Sequence, residues 1–120
     1  MAQGLSPQLQ EKIKKYQELQ QKISSAQQQV QSLKMDEVEV NKALKEIEDM
    51  PDDEMCYRSI GRIMVKSNIK ETKQKLTDQK ELIETRIELS QKSQKKLQKQ
   101  YQDLEEDIKS TLESQQKGSS

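Results

Sequence analysis

The residues of this chain that could perform chemistry are few, and they do not form a catalytic set. Among 120 residues there is one cysteine, Cys56, and no histidine. A thiol nucleophile would therefore lack an imidazole base, and a zinc-type cluster could not be assembled. No glycine-rich phosphate loop is present, and each pair of carboxylates falls on a predicted exposed helix surface. The sequence predicts a protein that is not an enzyme and needs no metal or cofactor, with Cys56 as a small packed residue.

A basic run is the other candidate for chemistry, because four lysines lie close together at Lys92, Lys95, Lys96 and Lys99. Such a run could attract the phosphates of a nucleic acid, and that binding would weaken strongly with salt. No aromatic residues interleave with it, however, and acidic residues follow directly. A solvated helix face is the favoured interpretation, and no nucleic-acid partner is expected.

The amino terminus and the hydropathy give an expectation about location. Residues 1–7 have neither a basic region nor an apolar core of the signal-peptide type, and no window approaches the roughly 18 apolar residues of a membrane span. We expect a soluble, cytoplasmic protein without a membrane partner.

Composition indicates what kind of fold must position these residues. Only 30% of the residues are hydrophobic, 35% are charged, and Phe and Trp are absent. An ordinary core needs large apolar side chains on several packed faces, which this chain cannot supply. It is therefore either disordered or a long helix that buries a narrow seam, and the periodicity decides between the two. Length favours a single domain over residues 1–120.

A first coiled-coil helix is predicted over residues 6–50. Ser6 and Pro7 are typical of a helix N-cap and first helical position, and Pro51 ends the pattern. Between them, apolar residues recur at alternating spacings of three and four, the signature of a coiled coil. The predicted seam comprises Leu5, Leu9, Lys12, Tyr16, Leu19, Ile23, Ala26, Val30, Leu33, Glu37, Val40, Leu44 and Ile47.

A second coiled-coil helix is predicted over residues 68–114, followed by a disordered tail at 115–120, and residues 1–4 are expected to fray. Asn68 and Glu71 have the spacing of a capping box at its start. Its weaker seam comprises Ile69, Lys73, Leu76, Lys80, Ile83, Ile87, Ser90, Gln94, Leu97, Tyr101, Leu104, Ile108 and Thr111.

If the chain reverses direction between these two helices, their seams can pack against each other as an antiparallel coiled coil. The two charged interruptions then face each other, Glu37 opposite Lys80, and Tyr16 faces Tyr101. Exposed charge pairs stabilise little, so we interpret Glu37 and Lys80 as register residues. The predicted fold is mainly α, a long antiparallel coiled-coil helical hairpin with a short β-hairpin at the bend.

The β-hairpin is predicted over residues 55–66, with a two-residue turn at Gly61-Arg62 where Gly supplies the positive φ. An isolated two-stranded hairpin is marginal in water and has two unpaired edges. Its apolar side chains therefore predict burial by other subunits, whose strands would close the sheet into an intersubunit β-barrel. The predicted interface residues are Met55, Tyr57, Ile60, Ile63, Met64 and Val65.

Together these features resemble the beta-type subunits of the prefoldin family, hexameric chaperones of archaea and eukaryotes. The resemblance covers essentially the whole chain and is sharpest in residues 42–66, where the acidic corner KALKEIEDMPDD (42–53) precedes the hairpin YRSIGRIMVK (57–66). The chain has one predicted β-hairpin, as beta-type subunits have, whereas alpha-type subunits have two.

The resemblance implies a complex of two alpha-type and four beta-type subunits with a double β-barrel platform and coiled-coil arms. The arm tips would hold unfolded polypeptides and deliver them to a group II chaperonin without ATP. Carried onto this chain, the tips are residues 5–16 and 101–114. The implied client-binding residues are Leu5, Leu9, Ile13, Leu104, Ile108 and Leu112.

Two alternatives stay open at this point. Leu9, Leu104 and Ile108 could equally be the last seam layers of the coiled coil, whereas Ile13 and Leu112 lie one position off the seam. A structural coiled-coil adaptor without chaperone activity would also need two helices. Such a tether, however, gains nothing from two apolar strands at the bend.

Overall fold

A computed structural model describes residues 5–118 of the chain. The elements in chain order are α1 (Pro7–Ile47), β1 (Met55–Ile60), β2 (Ile63–Asn68) and α2 (Ile69–Gly118). Two long helices with an antiparallel β-hairpin between them are the predicted fold, and this prediction is confirmed. No helix within the described range is long and apolar enough to cross a lipid bilayer.

The ends of α1 follow from local hydrogen bonding. At the start, the Ser6 hydroxyl accepts a hydrogen bond from the Leu9 backbone N–H at 3.2 Å, so Ser6 is the N-cap and Pro7 the first helical residue. At the other end the helix stops at Ile47, three residues before the predicted Met50. The Met50 N–H donates to the Ile47 carbonyl at 3.1 Å, which closes a turn ahead of Pro51.

The acidic corner after α1 caps the start of α2. The first N–H groups of a helix have no partner within it. Here the N–H groups of Ile69 and Lys70 donate to the carbonyls of Glu54 and Asp52, at 2.9 and 3.0 Å. The Asn68 side chain accepts from the Glu71 N–H at 2.8 Å, which is the first of the two hydrogen bonds of the predicted capping box, while the Glu71 carboxylate accepts from the Ser67 hydroxyl at 3.5 Å. The corner and the helix start therefore form one hydrogen-bonded structure.

The β-hairpin has the predicted turn. Ile60 pairs with Ile63, so Gly61 and Arg62 are the two loop residues, and Gly61 has a φ of 59°. Gly at positive φ in the first loop position is the type II′ arrangement, which matches the twist of the flanking strands. Pairing continues from there to Met55 and Asn68. β2 is thus two residues longer than the predicted end at 66, and Asn68 is both its last residue and the cap of α2.

The carboxyl end of α2 differs from expectation. We expected disorder from residue 115, but the helix continues to Gly118. Ser114, Gln115, Gln116 and Lys117 contain no helix-stopping residue, and Gly is the first residue that ends a helix readily. The remaining predicted tail residues, 119–120, and the predicted frayed residues 1–4 lie outside the described range.

The chain divides into two compact units, and each has its own core. One contains the described residues up to Gln29 and from Ser90 onward, and the other is Val30–Leu89. In the first unit Leu9 is fully buried, and in the second the buried apolar residues are Val30, Val40, Ile69 and Ile83. All five are predicted seam positions, so the seam prediction is confirmed where burial is deepest.

Candidate functional site

The first unit brings the start of α1 alongside the end of α2. Gln115 Nε2 donates to the Ser6 hydroxyl at 3.3 Å. Lys12 Nζ lies 3.1 Å from an Asp107 carboxylate oxygen and donates to the Thr111 hydroxyl at 3.2 Å. These contacts run antiparallel, and they lie on both sides of buried Leu9 along the helix. The helix ends are therefore paired down to Ser6.

A tyrosine pair lies deeper in the same unit, as predicted. The rings of Tyr16 and Tyr101 stack with centroids 4.4 Å apart and planes inclined by 17°. The hydroxyls of Tyr16 and Tyr101 are hydrogen-bonded to each other at 2.7 Å, and Gln20 Nε2 donates to the Tyr101 hydroxyl at 2.9 Å. The hydrogen bond with Tyr101, together with partial burial and the Glu105 carboxylate, raises the pKa of Tyr16 to about 12. Tyr16 is therefore neutral at physiological pH.

Beside this pair the two helices enclose an open groove of about 450 Å³, which we call the terminal groove. Its apolar residues are Ile13, Ile108 and Leu112, together with the Tyr16 ring, and its polar residues stand on both helices. The full lining is Ile13, Tyr16, Gln17, Gln20, Glu105, Ile108, Lys109 and Leu112. This is a concave apolar surface with a polar rim, suited to holding an apolar ligand.

The predicted tip residues divide among different environments. Ile13, Ile108 and Leu112 come together in the terminal groove. Leu104 lines a second, smaller groove of about 330 Å³ with Leu19, and Leu5 is exposed ahead of α1. Leu9 has 0% exposure, so its side chain is core in this structure and offers no contact surface.

Sequence reasoning missed the polar rim of the terminal groove. None of the client-binding residues named from the sequence belongs to this rim, whose residues all lie off the seam: Gln17, Gln20, Glu105 and Lys109. A signal was available. Gln20 and Glu105 directly follow the seam residues Leu19 and Leu104, as Ile13 and Leu112 follow Lys12 and Thr111, and Gln17 and Lys109 lie one position further out on the same side of the seam.

In the second unit the hairpin presents the largest set of exposed apolar residues. All six predicted interface residues are between 39% and 66% exposed. The register places Met55, Tyr57 and Met64 on one face of the sheet, and Ile60, Ile63 and Val65 on the other. Within the described residues this sheet has only two strands, so both edges lack a strand partner. We call these six residues the hairpin surface.

The base of the hairpin is fixed to the first turns of α2. Cys56 Sγ lies 3.1 Å from the Thr72 hydroxyl, and that hydroxyl donates to Ser67 at 3.5 Å. Cys56 is half-buried, as predicted for a small packed residue. Through these contacts the strand ends near the helix are held, while the rest of the hairpin surface stays open.

Lys73 has a role that the seam pattern did not reveal. Its ammonium group donates to the backbone carbonyls of Glu48 and Met50 at 3.1 and 3.5 Å, and lies 3.7 Å from Asp52. Both carbonyls lie in the turn after α1, beyond its last helical residue, and the lysine supplies hydrogen-bond donors to them. The sequence did contain a sign of this role, because Lys73 is a charged residue at a seam position next to the predicted bend.

The proposed register pair gives a different picture. Glu37 and Lys80 are both half-buried, but the structure shows no ion pair between these two described residues. The ion pairs distant in sequence that it does show are Lys12 with Asp107, between the two helices, and Lys73 with Asp52, between α2 and the corner after α1. A register role for Glu37 and Lys80 stays a prediction.

Metal chemistry has no visible site in the part of the chain that the structure describes. No group of three or more His, Cys, Asp or Glu side chains there is placed to hold a metal ion. What both units offer is contact surface.

Comparisons with known proteins show that the chain is similar to one family in sequence and in structure. Residues 10–115 match the family model described as prefoldin subunit. The prefoldin subunit beta of Methanosarcina acetivorans is 29% identical, with 93% of this chain and 96% of that protein covered. The counterpart from Thermococcus kodakarensis is 31% identical over 92% and 94%. The crystal structure of the prefoldin beta subunit from Thermococcus strain KS-1 matches with a TM-score of 0.80 and 31% identity, covering 92% of this chain and 97% of that one.

Proposed function

Because the chain belongs to the prefoldin family, as a beta-type chaperone subunit, we propose that it works in a complex of two alpha-type and four beta-type subunits. Assembly with other prefoldin subunits follows from the family.

The observation that carries the proposal is the hairpin surface. Six apolar residues stand exposed on a two-stranded sheet with open edges. The unpaired edges of such a sheet can hydrogen-bond to strands of another chain, and those strands would bury both its edges and its apolar faces. We propose that the hairpin joins an intersubunit β-barrel through Met55, Tyr57, Ile60, Ile63, Met64 and Val65. A tether without assembly would leave this surface in water.

The second part of the proposal concerns clients. Unfolded polypeptides expose apolar side chains, and burying that surface is worth about 25 cal/mol per Å². We propose that the paired helix ends, residues 5–16 and 101–114, hold such polypeptides and pass them to a group II chaperonin in the cytoplasm without nucleotide. Contacts at one chain are weak, and several chains in one complex would act together.

Co-expression with an alpha-type subunit tests this proposal. We expect a six-chain particle by native mass measurement, and that particle should suppress aggregation of a chemically denatured protein without ATP. A chain that stays monomeric beside its alpha-type partner would contradict the assembly. A six-chain particle that leaves aggregation unchanged would contradict the client role.

A further inference from the structure

We propose that Tyr16 and Tyr101 form a site of oxidative modification, at which a one-electron oxidant joins the two rings as dityrosine and so fixes the start of α1 to the end of α2. The inference does not depend on the proposed function. It concerns a covalent bond within one chain, between residues that are 85 positions apart in the sequence.

The first argument is the geometry of the two rings. They are stacked with centroids 4.4 Å apart and planes inclined by 17°, and their hydroxyl oxygens are 2.7 Å apart. Since the oxygens are closer together than the centroids, the rings approach most closely at their hydroxyl ends. The Cε carbons beside each hydroxyl lie at that end, and these are the carbons that dityrosine joins. The bond can therefore form with small movements of the rings.

The chemistry of the step follows from the phenol groups. Each tyrosine gives one electron to the oxidant and its hydroxyl proton to solvent, which leaves a phenoxyl radical. The unpaired electron is shared among the oxygen, the two Cε carbons and Cγ, and Cγ already carries the side-chain bond. One Cε carbon of each ring pairs its electron in a new C–C bond, and the hydrogen on each then moves as a proton to the oxygen of its own ring. Both aromatic rings and both hydroxyls are restored, and the chain has lost two hydrogen atoms. The oxidant has accepted two electrons in all, and radicals derived from peroxide belong to this class of oxidant.

The second argument is that the pair has little competition in its own unit. The described residues of that unit, 5–29 and 90–118, contain no Cys, Met, Trp or His. Cys and Met are common targets of oxidants, and the two tyrosines are the only aromatic side chains in these ranges. An electron taken from this unit therefore comes most readily from Tyr16 or Tyr101.

Access and confinement both favour coupling within the pair. The two rings are half-buried, and Tyr16 lines the open terminal groove, so a small oxidant can reach it. Gln20 Nε2 donates to the Tyr101 hydroxyl at 2.9 Å and helps to hold that ring in place. Two reactants that are held in contact react far faster than two that must meet by diffusion. Tyr57, by contrast, is 61% exposed and belongs to the other unit.

The test uses the full chain in dilute solution, with tris(bipyridine)ruthenium and persulfate under a brief light pulse as the source of a one-electron oxidant. We expect dityrosine fluorescence in a product that still has the size of one chain. Trypsin should release a linked pair of peptides that contains residues 16 and 101 and is lighter by two hydrogen atoms than the separate peptides. If most of the dityrosine joined different chains, or if the tyrosines were oxidised without this bond, the proposal would be overturned.

Two variants and one change of solvent show whether the folded arrangement directs the coupling. Tyr101→Phe keeps the ring but removes one phenol, so the linked peptides should disappear while helicity by circular dichroism is retained. Tyr57→Phe is the matched control, because it removes a phenol from the other unit, and the yield should stay within about twofold. In urea, where the rings no longer stack, the yield should fall about tenfold or more. An equal yield from the unfolded chain would overturn the inference.

The effect of the bond on helix pairing can be measured separately. A covalent link between distant residues restricts the unfolded chain, as a disulfide does, and so stabilises the folded state. The linked chain should therefore unfold at a higher urea concentration than Tyr101→Phe that has received the same oxidant treatment, which carries any other oxidation but lacks the bond. Equal midpoints would show that the bond does not fix the helix ends to each other, contrary to the proposal.

Discussion

At the scale of single residues, the tyrosine pair combines a ring stack with a hydrogen bond between the two hydroxyls. Two rings and two hydroxyls meet at one seam layer, and Gln20 adds a third partner. Tyr16 and Tyr101 could be paired from sequence because both occupy seam positions. Gln20 could not, because an amide on a helix surface has many partners within reach.

The raised pKa of Tyr16 gives a titration prediction. Its ordinary value is about 10, and in the folded chain it is about 12. Since the neutral form is favoured on folding, the stabilisation is fully present below pH 10 and is lost as the pH rises towards 12. Below pH 9, stability should therefore show no step from this group.

Ultraviolet absorbance of tyrosinate measures this directly. In a Tyr57→Phe background, the tyrosinate absorbance of Tyr16 should appear near pH 12. Adding Tyr101→Phe removes the hydrogen bond, which is the largest cause of the shift, so the remaining Tyr16 transition should move towards pH 10. A Tyr16 transition that stays near 12 in that variant would assign the shift to Glu105 and burial.

At the scale of elements, the hairpin turn depends on one backbone conformation. Gly61 has a φ of 59°, and a Cβ built there meets nothing within 4 Å. Any cost of substitution therefore comes from the backbone and not from crowding. Positive φ costs an ordinary L-residue roughly 1–2 kcal/mol, more for a β-branched residue and less for Asn.

Gly61→Val should accordingly destabilise the hairpin by about 2 kcal/mol and lower the yield of assembled complex, whereas Gly61→Asn should assemble nearly as the parent does. Urea titration followed by native mass measurement provides the readout. Equal behaviour of the two variants would mean that the turn rearranges without cost.

Among the elements, the buried seam positions were easier to predict from the sequence than the helix ends. The seam was predictable because burial repeats with helical geometry, and Leu9, Val30, Val40, Ile69 and Ile83 are all buried seam positions. Helix ends were less predictable. α1 stops at Ile47 because a hydrogen-bonded turn forms before Pro51, and α2 continues to Gly118 because nothing earlier stops it.

The terminal groove was only partly predictable, for a physical reason. Ile13 and Leu112 stood out as apolar residues off the seam, but whether two such residues share a groove depends on how far each helix is rotated about its axis. That rotation is set by packing against the other helix. Leu9 is a different case, because it is a seam position that was named among the client-binding residues only through the resemblance, and its side chain is core.

At the scale of the whole molecule, the two units carry different surfaces. The terminal groove belongs entirely to one unit, and the hairpin surface belongs entirely to the other. Each can therefore be altered without touching the other. In the proposed assembly, the helix ends of several chains would act on one polypeptide, so weak individual contacts would add up.

This separation leads to the last prediction, on the hairpin surface. Tyr57→Ser with Met64→Ser removes two exposed apolar side chains from one face of the sheet and should weaken subunit assembly about a hundredfold. The helices should persist, because neither residue belongs to the buried cores. Met35→Ser with Val38→Ser is the matched control, since these α1 residues are 62% and 58% exposed but lie outside the hairpin. Sedimentation and circular dichroism report assembly and helicity. If the control lost assembly as the hairpin variant does, general loss of exposed apolar area would explain both, and the hairpin would not be the specific interface.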